Sequence, residues 1–193
     1  LHLLVPIYWL GGDLGAYYSA RFLIDERRPV NERLMALTIL NNIDMAPRTT
    51  LILALPTGLS LAVAKAWLAL PLWAPVAVWL AALLWLALAW AVHLRHGPDG
   101  AVLRRIDLAV RYALLVLLLA LGGGGLAGAV AWPRFIALKL IVLGLCIGAG
   151  LLVRVQLGPL IPAIVAMQTA GATPDSDATV RTVLGRTTPT VQA

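Results

Sequence analysis

Five long apolar stretches, separated by short polar or charged segments, organise this chain. They run about 2–21, 44–66, 75–96, 106–126 and 133–155. Each approaches the ~20 residues with which an α-helix spans ~30 Å of hydrocarbon. Pro75 and Pro133 lead the third and fifth stretches, a place where proline suits the first helical turn. The pattern predicts an all-α integral membrane bundle of five transmembrane helices within residues 1–168, followed by a short polar tail over 169–193. In the tail, Asp175 to Asp177 are placed to cap one short helix.

The second and fourth stretches open alike. "IDMAPRTTLIL" from Ile43 and "IDLAVRYALLV" from Ile106 share Ile-Asp-x-Ala-x-Arg, 63 positions apart. Each is followed by a Gly-containing stretch and a Pro-led helix, ending near Gly97-Pro98 or Gly158-Pro159. Spans two–three and four–five therefore read as a repeated helical hairpin, with span one outside the repeat.

Composition agrees with the pattern. Of 193 residues, 61% are hydrophobic and 12% charged, more apolar side chain than a soluble domain of this length can hide. One cysteine, Cys146, excludes an internal disulfide and any cysteine-ligated cluster. The formal charge of +6 changes the picture only through its placement. Arg21, Arg27, Arg28, Arg33, Arg48, Arg95, Arg104, Arg105, Arg111, Arg154, Arg181 and Arg186 all fall on one side of the expected bundle, against Lys65 and Arg134 on the other. That asymmetry predicts an outside N-terminus and a cytoplasmic C-terminus. Trp67, Trp73 and Trp132 then mark the outer interface. The basic charge points to anionic lipids at the cytoplasmic face as partners rather than nucleic acid.

Candidate chemistry lies in span one. At ~100° per residue, His2, Trp9 and Asp13 share one stripe, which Pro6 and Tyr17 flank. A polar stripe on a spanning helix turns to protein or to an internal cavity, away from lipid. Asp13, about 16 Å along the helix from His2, has Arg48, Arg111 and Lys139 as candidate cations. Arg48 and Arg111 each have a nearer partner four residues back, Asp44 and Asp107. Lys139 has no acid on its own helix. It either snorkels to the outer head groups or aims inward, where it and His2 reach one pocket.

"HLLVPIYWLGG" resembles the first helix of the HemJ-type protoporphyrinogen oxidases and related CopD-like membrane proteins. "ALKLIVLGLC" is similar to the Lys-Leu helix of the HemJ group, and "APRTTLILALPTGLSLAV" to its second helix. The resemblance implies a multi-pass protein of the bacterial inner membrane that binds haem b between helices 1 and 5. It implies His2 as ligand to the haem iron, and Lys139 as a second ligand or a partner of propionate or substrate. Trp9 and Arg48 would line the pocket wall.

Three functions follow as expectations. The first is a haem-b protein with a redox role, as oxidase or electron carrier. The second is a non-catalytic subunit or scaffold packed against other membrane subunits or a second copy of itself. The third is a small transporter that uses Asp13 and Lys139 as a polar relay.

Overall fold

A computed structural model describes residues 2–95, 100–130, 132–171 and 173–192. Eight helices run through them: α1 (Leu4–Ile24), α2 (Val30–Ile43), α3 (Met45–Ala64), α4 (Trp73–Leu94), α5 (Ala101–Leu126), α6 (Arg134–Gln156), α7 (Leu160–Ala170) and α8 (Pro174–Gln192). Among the described residues there is no strand. Four stretches are long and apolar enough to cross a membrane: 30–64, where α2 and α3 run on through Asp44, and α4, α5 and α6. The expected first span forms helix α1 but is not one of these four. Gly11, Gly12, Asp13, Gly15, Ser19 and Arg21 dilute its apolar content. The expected repeat end at Gly97-Pro98 lies outside the described residues.

The chain divides into two compact units, one of 1–5 with 49–148 and one of 6–48 with 149–193. In the first, small residues bring α5 against α6. A Cβ at Gly122 would stand 2.6 Å from Ile141 Cγ1 and 2.8 Å from the Ala137 carbonyl oxygen, so only glycine fits. Within the glycine run, Gly122 and Gly125 thus form a packing face of a continuous helix, while a Cβ at Gly123 would meet nothing within 4 Å. Trp79 Nε1 donates to Ser60 Oγ at 2.9 Å and ties α4 to α3. α3 and α5 end alike. α3 closes with Trp67 N–H on the Ala62 carbonyl, and α5 with Ala129 N–H on the Gly124 carbonyl, both at 2.9 Å. In each, the residue before the donor is left-handed: Ala66 at φ 55° and Gly128 at φ 77°.

The second unit has its own core of Leu23, Leu160, Ala163, Met167, Val180, Val183 and Leu184. α8, expected as a short capped helix in a polar tail, is 19 residues long and contributes three of these side chains. α7 runs through the expected boundary at residue 168. Thr173 and Ser176 cap α8 reciprocally, each side-chain oxygen accepting the other's backbone N–H at 3.2 and 3.0 Å. Asp177, expected to cap, instead faces Arg33.

Arg33 is 1% exposed, the largest fully buried side chain, where the sequence pattern had made it a cytoplasmic surface charge. Its Nε donates to the Leu23 carbonyl at 3.0 Å. Its terminal nitrogen lies 2.8 Å from Asp177 Oδ1, in ion-pair range but without hydrogen-bond alignment. One side chain thus joins the end of α1, α2 and the start of α8. A second pair, Arg181 with Glu26, is exposed. Burying a cation without its acid is costly, whereas exposed pairs contribute little. Asp177→Asn is expected to lower unfolding stability in detergent by roughly 3–5 kcal/mol, and Arg181→Ala by less than about 1 kcal/mol.

Candidate functional site

The sequence Leu55-Pro56-Thr57-Gly58 in α3 builds the seat of His2. Pro56 is buried inside the helix and brings no N–H, which leaves its turn one hydrogen bond short. The neighbouring Thr57 hydroxyl donates back into the same turn, to the Leu53 carbonyl at 2.6 Å and the Ala54 carbonyl at 3.2 Å. Gly58 removes a side chain where the imidazole arrives. A Cβ there would stand 3.1 Å from His2 Cε1, 3.6 Å from Nε2 and 3.7 Å from Nδ1. The Cε1 corner of the ring therefore presses on Gly58, with a nitrogen on either side. Nδ1 lies 3.0 Å from Thr57 Oγ1.

Lys139 belongs to the same unit and is close enough to act on His2 through its charge. It is exposed on α6, with its ammonium 5.9 Å from the ring centre of Phe135 one turn earlier. The cation is thus neither buried nor in an ion pair with an acid among the described residues. Its long stem leaves it free to reorient.

The other expected site residues, Trp9, Asp13, Tyr17 and Arg48, fall in the second unit. Trp9 and Asp13 are half-buried and Pro6 is exposed, whereas the fully buried residues of α1 are Gly12, Ser19 and Leu23, so the stripe borders the packed face of the helix. Gly12 packs against Pro47 and Gly15 against Ile43, which sets the glycine face of α1 on the junction of α2 and α3. The groups that act on Asp13 are Trp9, one turn before it, and the carboxylate of Asp44. Arg48 forms its ion pair with Asp44, as the four-residue spacing implied. Tyr17 accepts a hydrogen bond from Arg21 at 3.2 Å, and the guanidinium stacks 5.0 Å over its ring. The structure groups these four residues around Asp44 and Arg21. The two that accompany each other in the first unit are His2 and Lys139.

A buried cluster missed in the sequence lies between α4 and α5. Asp107 is 1% exposed and accepts from Trp85 Nε1 at 3.1 Å and from Arg111 Nε at 2.9 Å. The Arg111 guanidinium also lies 5.6 Å from the centre of the Trp85 ring. The Asp107–Arg111 pair was legible from spacing. Trp85 was not, although an indole N–H in the middle of an apolar helix signals a polar partner. Among the described residues no group of three or more His, Cys, Asp or Glu side chains stands ready for a metal ion. His93 packs edge-on against Trp90 at 5.9 Å, and His96 lies outside the described residues.

Comparison of the chain with protein-family models, characterised proteins and solved structures found no match.

Trp85→Phe keeps the ring's bulk but withdraws a donor from a buried carboxylate. It is expected to cost about 1–3 kcal/mol in unfolding stability. Trp90→Phe, at an exposed position of the same helix, serves as the control and is expected to change little.

Proposed function

We propose that the chain is a haem-b-binding redox protein of the bacterial inner membrane, a five-helix bundle with an outside N-terminus, in which His2 is the iron ligand. The observation that carries this reading is the state of the His2 ring. It is fixed on two sides, by Gly58 and Thr57, and among the described residues its hydrogen bonding uses Nδ1 alone. A ring held in this way offers one nitrogen to a ligand.

The donor set favours a macrocycle over a bare ion. A protein-bound zinc or copper ion takes three or four side-chain ligands, whereas a porphyrin brings four nitrogens of its own and asks for one or two. One oriented imidazole meets that need. Lys139 supplies the complementary charge, because an ammonium on a flexible stem suits a propionate carboxylate. When bound, haem b would supply one-electron chemistry. The residues of this chain would hold and orient it: His2 through its ring nitrogen, Thr57 and Gly58 by fixing that ring, and Lys139 by pairing with an acidic substituent. The arginine-rich side would face the cytoplasm and its anionic lipids.

The test is an absorption spectrum of the full chain, purified in detergent and supplied with haem b. A Soret band is expected in the wild type and in His93→Ala. In His2→Ala it is expected to be lost or strongly shifted. A colourless wild type, or a band indifferent to His2→Ala, would overturn the reading. Colourless protein recovered within a larger complex would favour the scaffold.

A further inference from the structure

We infer that Thr57 is the positioning residue of His2: it holds the ring as the Nδ1–H tautomer and so keeps Nε2 as the free lone pair. The proton count requires this. A threonine hydroxyl has one proton to give, and that of Thr57 lies between the Leu53 and Ala54 carbonyls, 2.6 and 3.2 Å away. Toward His2 the oxygen can then only accept, so the hydrogen in the 3.0 Å contact belongs to Nδ1. A neutral imidazole carries one N–H, which leaves Nε2 bare.

The neighbouring residues explain why the hydroxyl stays committed. The buried Thr57 hydroxyl lies against its own helix, its proton directed at the Leu53 and Ala54 carbonyls one turn back, while the carbonyl that Pro56 leaves without a helical donor is that of Ile52. Gly58 holds the Cε1 corner, so the ring cannot flip about χ2 without pulling its bonded nitrogen from Thr57. Backing an imidazole with a neutral hydroxyl has a chemical consequence. A carboxylate partner pulls on the Nδ1 proton and makes Nε2 a strong electron donor, whereas a hydroxyl leaves it close to an ordinary imidazole. Thr57 thereby sets the donor strength of His2 as well as its heading.

The tautomer stands on its own, and only the identity of what Nε2 meets rests on the haem reading. The experiment is nitrogen NMR of the ¹⁵N-histidine-labelled full chain in lipid nanodiscs, at a pH where imidazole is neutral. The His2 signals are assigned by difference with His2→Asn. The wild type is expected to show a protonated Nδ1 and a bare Nε2. Thr57→Val is expected to shift the tautomer ratio toward Nε2–H by about tenfold, the bias one hydrogen bond supplies, and Thr57→Ser to restore it. In haem-loaded protein the same pair of variants is expected to move and restore the reduction potential. A bare Nδ1 in the wild type, or a ratio unmoved in Thr57→Val, overturns the inference. Should Thr57→Val fail to fold, the wild-type spectrum alone decides. The predicted tautomer in a protein that takes up no haem would sink the haem reading and leave Thr57 in its role.

Discussion

Hydrocarbon offers a polar group nothing to bond to, and the polar side chains of this protein are arranged by that constraint. Each donor or acceptor on a helix that crosses a membrane has to find its partner within the protein. Asp107 finds an indole and a guanidinium among its partners, and the indole joins α4 to α5. Trp79 finds Ser60 and joins α4 to α3. His2 finds Thr57, whose own proton goes back into its helix. In this solvent, hydrogen bonds between helices do the pairing that apolar burial does in water.

The same constraint separates residues that organise the fold from a residue free to act. Asp107, Arg111 and Arg33 are charged and buried, but each is committed to fixed partners. Substitution there disturbs packing first. His2 differs because its environment consumes one of its two nitrogens. A ring that is immobilised yet half-used is the arrangement expected where an imidazole must meet something else. Lys139, in the same unit, is exposed and acts on His2 through its charge.

Much of the helical frame was legible in the sequence. The five apolar stretches coincide with α1 and α3 to α6 within a few residues, and the Asp-x-x-x-Arg spacing foretold both ion pairs. What escaped was structure that is not written as apolar periodicity. α2 and α8 are polar enough to read as connector and tail, and their packing depends on contacts with distant segments such as Leu23 and Met167. Arg33 looked like one of many topology-setting arginines because charge counting treats every arginine as solvated. Its partner, Asp177, lies 144 positions away. The His2 seat was hidden for another reason. Pro-Thr-Gly inside a span is a legible irregularity, but nothing in one sequence says which residue it receives.

The contact between His2 and Gly58 is the point on which the functional account turns, and solid-state NMR in lipid bilayers measures it without any ligand. With ¹³C,¹⁵N-labelled histidine and glycine, the account predicts a cross-peak between the His2 ring and the Gly58 α-carbon that vanishes in His2→Asn. A His2 ring that correlates only with lipid or water, with Gly58 silent, would contradict it.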